Sequence, residues 1–205
     1  MSNHVQDTIA AISTASGPGG IGIVRISGPR AWEVGRALFR PAKHTLPDPP
    51  PTRHLIYGNI IDPSTGEAVD EVLTAFFKSP HTYSTENTVE IQGHAGPAVT
   101  RRVLALCLAQ GCRLARPGEF TRRAYMGGRL DLSQAEAVAQ LISAASQGEA
   151  RLALGALQGG LAQELAPIRQ SLLNLAAAVE AALDFPDEVE DIIAPDLAGR
   201  LKQEA

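Results

Sequence analysis

Cysteine is nearly absent from this 205-residue sequence, which holds only Cys107 and Cys112. Two thiols build no disulfide framework, and no paired Cys/His spacing marks a zinc site, so no metal ligands are assigned. An excess of basic charge is missing as well: 18 Lys and Arg stand against 22 Asp and Glu, for a formal net charge of −4. That excludes a whole-chain footprint for nucleic acid and leaves any such contact to a local patch. No apolar run approaches the roughly 20 residues needed to cross a bilayer. The opening Met-Ser-Asn-His-Val-Gln-Asp shows no basic stretch leading into an apolar one, the mark of a signal peptide. The expectation is a soluble, cytoplasmic protein with no membrane partner. Catalytic signatures are missing too, with no G-x-x-x-x-G-K-[ST] phosphate loop, no G-x-S-x-G elbow and no H-E-x-x-H pair. No residue is assigned a catalytic role.

What is present suffices for a packed core, with 44% hydrophobic and 20% charged residues. The length fits one sizeable domain, or a compact domain plus an extension. The first half reads as mixed α/β. Residues 7–14 and 21–27 are short, apolar and rich in β-branched residues, and Gly17-Pro18-Gly19-Gly20 separates them, so two strands are expected. Pro29 stands where a first helical turn would begin, and residues 31–39 carry helical spacing. Residues 41–51 are proline-rich and read as a surface loop. Residues 54–61 and 69–77 flank Asp62-Pro63-Ser64-Thr65-Gly66 and suggest a hairpin; 87–92 alternate as a strand; 97–108 read as a helix stopped by Gly111.

Beyond Pro117 the pattern becomes helical. Ser133 with Glu136 three residues on reads as a capping box for a helix over 137–145. Further on, Leu154, Leu157, Leu161, Leu165, Ile168, Leu172, Leu175 and Val179 recur at three- and four-residue steps as one apolar stripe, in which Pro167 predicts a kink. Such a helix needs a partner that these residues scarcely supply; an antiparallel pairing with the preceding helix is the alternative. The acidic residues from Asp184 to Asp191 read as a solvated helix end.

Gly17 to Gly22 satisfies G-x-G-x-x-G, but the residues that follow are strand-like, which argues against a dinucleotide site. A glycine-rich turn, or glycines that admit a flat ligand or a second chain, fits better. His94 follows a strand, where a base might stand, but no nucleophile accompanies it, so a structural role is expected. Arg25 and Glu90 interrupt apolar strands. Alternation places Arg25 on the face of Ile23 and Ser27, and Glu90 on that of Thr88 and Gln92. A charge on a half-buried strand is costly unless paired or bound, so either a structural Arg25–Glu90 ion pair or a ligand site follows. A carboxylate that accepts paired donors, beside a guanidinium that clamps an acid, suits a polar heterocycle bearing acid groups. Finally, Arg101, Arg102, Arg113, Arg116, Arg122, Arg123 and Arg129 crowd a segment whose only acid is Glu119, a pattern that contacts phosphates or is simply solvated.

Four segments together, DTIAAISTASGPGGIGIVRISG from Asp7, NTVEIQGHAGP from Asn87, ARPGEFTRRAYMGGRLDLSQAEAVAQLI from Ala115 and EAALDFPDE from Glu180, resemble the N-terminal part of the MnmE (TrmE) family of tRNA-modifying GTPases. The resemblance spans nearly the whole chain. It implies an α+β N-terminal domain, a mixed β-sheet flanked by helices with the aminomethyltransferase-like folate-binding fold, followed by an all-α segment. The expected domains are 1–118 for folate binding and dimerisation, and 119–205 for the first part of a helical domain.

By position in the matching motifs, Arg25, Glu90 and Arg129 correspond to the family's folate-binding residues, the last being lysine in some relatives. Glu90 is then expected to accept hydrogen bonds from the pterin, while Arg25 and Arg129 meet other polar or carboxylate groups. The implied cofactor is a tetrahydrofolate derivative, 5-formyl- or methylene-tetrahydrofolate. The implied partners are a second copy in a homodimer, a flavin-dependent MnmG-type protein and tRNA, whose wobble uridine receives a carboxymethylaminomethyl group. GTP, Mg²⁺ and K⁺ belong to a Ras-like GTPase domain whose motifs this sequence lacks, as it lacks the family's Cys-x-Gly-Lys segment. The chain is therefore expected to end before that domain and not to hydrolyse GTP. The competing expectations are a dimerising tRNA-docking module without a working folate site, in which the arginine cluster carries function, and a free-standing aminomethyltransferase-like enzyme.

Overall fold

A computed structural model describes residues 7–15, 17 and 19–184. Ser16 and Pro18 of the glycine turn, residues 185–191 of the acidic stretch and the close of the EAALDFPDE motif lie outside the described residues. The architecture is the expected one, a mixed sheet with flanking helices followed by α-helices. The chain divides into two compact units that meet between Ala135 and Glu136.

The first unit begins with β1 (Ile9–Ile12) and β2 (Gly22–Ser27), then α1 (Ala31–Leu38), β3 (Phe39–Pro41), β4 (Leu55–Ile61), β5 (Ala68–Phe77) and β6 (Thr88–Gly93). It continues with α2 (Pro97–Ala109), β7 (Arg113–Leu114) and α3 (Glu119–Met126). The seven-stranded sheet runs β3-β4-β5-β6-β2-β1-β7; neighbours are antiparallel except β1 and β7, which are parallel. Alternation decides what each face buries. Val24 and Ile26 of β2, Val89 and Ile91 of β6, and Val72 and Phe76 of β5 form one core with Val34 and Leu38 of α1 and Val103, Leu106 and Cys107 of α2. The intervening residues, Arg25 and Glu90 among them, occupy the opposite face.

Two strands were not foreseen. The helical spacing that continues to Phe39 breaks there, because Phe39 is wholly buried and starts the edge strand β3. Gly58 on β4 makes this possible: a Cβ there would fall 2.6 Å from the Phe39 ring. Pro41 is tolerated because β3 is an edge strand. The two-residue β7 is too short to leave an alternating pattern.

The helices α4 (Leu132–Ser143), α5 (Gln147–Leu157) and α6 (Gly160–Asp184) follow. The capping box stands two residues earlier than expected. Asp131 Oδ1 accepts from the Gln134 amide at 2.8 Å, and Gln134 Oε1 accepts from the Asp131 amide at 2.9 Å. Ser133 instead donates to Asp131. The stripe from Leu154 to Val179 is not one helix, because Gly159 at φ +86° ends the turn between α5 and α6. Pro167 lies inside α6, which continues past it. Leu154, Leu165, Ile168, Leu172 and Val179 are exposed; the Leu161 side chain lies outside the described residues.

Thr74 on β5 lies opposite Ile56 and Ile91 on the core face, fully buried, and its hydroxyl has no hydrogen-bond partner among the described residues. Leaving such a group unmatched costs about 1–3 kcal/mol. Thr74→Val, of nearly equal shape, is therefore expected to raise the stability of the first unit by about 1 kcal/mol in urea denaturation; a loss of stability would show that the hydroxyl is satisfied.

Candidate functional site

Arg25 and Glu90 are direct partners in the β2–β6 register, at the middle of the sheet and on the face turned away from α1 and α2. The ion pair considered for them forms. Arg25 Nε donates to Glu90 Oε1 at 2.9 Å and Nη2 lies 2.8 Å from the same oxygen, with the two side chains 25% and 18% exposed. Both contacts use one carboxylate oxygen. Glu90 Oε2 and Arg25 Nη1 have no partner among the described residues, so the pair retains an acceptor and a donor for a ligand.

Two aromatic rings complete the surroundings. The Arg25 guanidinium lies 5.6 Å from the centroid of Tyr83, in the β5–β6 connection, and 5.5 Å from that of Phe120 on α3. Arg129, just beyond α3, lies 4.8 Å from the Tyr83 centroid and donates through Nη1 to the Tyr83 carbonyl at 3.1 Å. The structure thus brings Arg25 and Arg129 together at the Tyr83 ring, with Glu90 paired to Arg25. Sequence reasoning missed the two rings. Phe120 lies inside the RPGEFT motif and was open to notice, whereas Tyr83 sits in a loop with no pattern of its own.

A half-buried ionic network fixes these pieces. Arg123 of α3 donates through Nη1 to Glu86 at 3.0 Å and to the Asp7 carbonyl at 2.9 Å, and through Nη2 to Asp7 Oδ1 at 2.7 Å. Arg113 holds Asp7 at 2.6 Å and Glu119 at 2.6 Å. Glu119, 7% exposed, also accepts from the Arg116 amide at 2.7 Å. The arginine cluster is accordingly less free than its sequence suggests. Arg113 and Arg123 are committed here, and Arg102 pairs with the buried Asp62, which also holds Ser64 at the hairpin turn.

The other motifs resolve locally. The glycine turn joins antiparallel β1 and β2, so no helix follows it to receive a pyrophosphate. At Gly22 the close approach is internal, since a Cβ would fall 2.7 Å from Thr100 Cγ2 of α2. Beside it lies a cavity of about 270 Å³ lined by Ile12, Thr14, Gly17, Pro97, Thr100 and Arg101, separate from Arg25 and Glu90. His94 Nδ1 and its backbone amide both engage Asp70, at 2.6 and 2.8 Å, and the hydrogen bond and charge of Asp70 raise the His94 pKa. Burial pushes Cys112 up to about 11 and Cys107 higher still, so neither is a nucleophile near neutrality. Among the described residues no group of three or more His, Cys, Asp and Glu side chains could hold a metal ion, and no helix is long and apolar enough to cross a membrane.

The Arg113 hydrogen bond, opposed by burial and reinforced by the Arg116 amide and the charges of Arg113 and Arg123, lowers the Glu119 carboxyl to about 2 from its usual 4.5. Burial alone would raise Asp7, but Arg113 and Arg123 bring it below its ordinary value. Because these folded values lie under the unfolded ones, the stabilisation is complete above about pH 4.5 and fades as the pH falls toward 2. From pH 7 to pH 5 the carboxylate contribution is therefore constant and protonation of His94 beside Asp70 only adds stability; below pH 5 the urea midpoint is expected to drop, with a shallower drop in Glu119→Gln. Superimposable pH profiles for the two proteins would contradict this assignment.

Comparison with known proteins also divides the chain in two, near residue 130. A family model described as the GTP-binding protein TrmE N-terminus matches residues 8–129, and one described as the MnmE helical domain matches 132–204. Proteins named tRNA modification GTPase MnmE are similar along nearly the whole chain. That of Geobacter sulfurreducens is 48% identical over 193 residues and that of Alkaliphilus oremlandii 45% over 193, each match covering 94% of this chain and 42% of the relative. That of Thermosynechococcus vestitus is 46% identical over 203 residues, covering 98% of this chain and 42% of the relative. The chain thus spans about two-fifths of the length of these relatives.

Proposed function

This chain belongs to the MnmE family, matching its N-terminal and helical domains, and from that premise we propose that it is the tetrahydrofolate-binding and dimerisation module of a tRNA modification GTPase. The observation that carries the reading is the Arg25–Glu90 pair, mid-sheet, with Glu90 Oε2 and Arg25 Nη1 left open beside the Tyr83 and Phe120 rings. A reduced folate presents a flat ring whose edge carries adjacent N–H donors and a tail that ends in carboxylates. The donor set fits it. Glu90 accepts from the ring edge, the aromatic side chains border the ring plane, and Arg25 and Arg129 meet the polar and acidic groups. When bound, such a cofactor supplies a one-carbon unit.

The pair itself does not oppose ligand entry. A cross-strand pair of opposite charges contributes about 0.2–1 kcal/mol, so a ligand that offers Glu90 two donors replaces it at small cost. The wider assembly is proposed with it: a homodimer, a flavin-dependent MnmG-type partner and a tRNA whose wobble uridine is modified, in the cytoplasm. Leu55, Tyr57 and Leu73, exposed on the same sheet face as Glu90, support the homodimer as apolar surface suited to a second chain. The arginine-cluster reading gains no such support, because Arg102, Arg113 and Arg123 are already paired. With no G-x-x-x-x-G-K-[ST] motif in the sequence, this chain is proposed not to turn over GTP.

Calorimetric titration of the chain with 5-formyltetrahydrofolate is expected to saturate. The Arg25→Ala, Glu90→Ala double variant is expected to lose that binding, and Glu90→Gln to weaken it by about tenfold or more, as for a charge-assisted hydrogen bond. Unchanged affinity in Glu90→Gln would remove the ring-edge assignment.

A further inference from the structure

The Tyr83 and Phe120 rings are held at Arg25 by side chains that do not themselves reach the Arg25–Glu90 pair. Tyr83 Oη and Thr121 Oγ1 share a hydrogen bond of 2.8 Å, which ties the β5–β6 connection to α3. Arg123, one helical residue pair further on and only 10% exposed, binds three segments at once: Glu86 of that connection, Asp7 ahead of β1 and Glu119 of its own helix. Glu86 passes the constraint to the sheet, because its Oε2 accepts from Ser27 Oγ at 2.7 Å, and Ser27 Oγ lies 2.6 Å from Ser84 Oγ. Ser27 is two residues from Arg25 on β2 and faces the same side. Gly127 closes the assembly, since a Cβ there would collide with Thr85.

We infer that Thr121 and Arg123 are positioning residues of the Arg25–Glu90 site: they lock the Tyr83 connection and α3 together, fix both rings at the guanidinium, and so set affinity for a planar ligand without touching it. The inference rests on the reading of this site as the folate pocket. A fork of donors is needed at Arg123 because three carboxylates from separate segments converge on it, and an ammonium lacks that span. Thr121 is the lighter link, since its hydroxyl alone reaches the phenol.

The test uses the full chain, with 5-formyltetrahydrofolate as the titrant. Thr121→Val and Tyr83→Phe each remove one partner of the same hydrogen bond. Each is expected to weaken binding about three- to tenfold, with no further loss in the double variant. Thr121→Ser, which keeps the hydroxyl, is expected to bind within about twofold of the parent chain. Arg123→Lys is expected to lose more than Thr121→Val; should it fail to fold, the Thr121 series decides. A second readout needs no ligand. The Arg25 Nε–H resonance, shifted by the two rings in the parent chain, is expected to move in Thr121→Val and stay in Thr121→Ser. Unchanged affinity with an unmoved resonance in Thr121→Val overturns the inference, as do additive losses in the double variant. A parent chain that ignores the folate, while Thr121→Val still moves the Arg25 resonance, overturns the folate reading and leaves the positioning role standing.

Discussion

A guanidinium and a carboxylate facing each other across two central strands govern the architecture of this module. Arg25 and Glu90 are register partners between Val24 and Ile26 on one strand and Val89 and Ile91 on the other. The flanking residues point into the core under α1 and α2, which forces the charges onto the opposite face. That face cannot be covered by apolar packing without desolvating both ions. It is bordered instead by a tyrosine, a phenylalanine and a further arginine, groups that tolerate a half-exposed cation. The core on one side and the polar recess on the other are thus two results of a single register.

Around the recess, stability and positioning share the same atoms. Asp7, Glu86 and Glu119 reach Arg123 from three parts of the chain, and none of these acids is next to another in sequence. Leaving this largely buried cation without its partners is strongly destabilising, and without it Glu86 loses its cation while Asp7 and Glu119 keep only Arg113. The loop and helix that carry the rings become fixed to the sheet as a consequence of the network's formation.

Much of the fold was legible because its signals are local. Short apolar runs rich in β-branched residues gave β1 and β2, alternation gave β6, the Asp62-to-Gly66 turn gave the β4–β5 hairpin, and Pro97 and Gly111 bracketed α2. The face of Arg25 and Glu90 followed from alternation, and their residue types suggested the pair. What escaped was long-range or nearly costless to alter. Burial of Phe39 converted the end of α1 into an edge strand. Asp131 and Ser133 are both competent caps, and Gln134 selected the former. Gly159 split an apolar stripe whose spacing runs through it. Tyr83 joined the site from a loop, through contacts with Thr121 and Arg129 that lie 38 and 46 residues away. No window of sequence displays such a contact, and the same is true of the acids that occupy the arginine cluster.

The account turns on where a reduced folate sits. A crystal structure of the chain grown with 5-formyltetrahydrofolate tests this most directly. The account predicts the ring edge on the Glu90 carboxylate, the ring plane against Tyr83 or Phe120, and the Arg25–Glu90 contact at least partly exchanged for ligand contacts. A folate seated elsewhere, such as the cavity beside Thr14 and Arg101, with the Arg25–Glu90 pair intact, would contradict it.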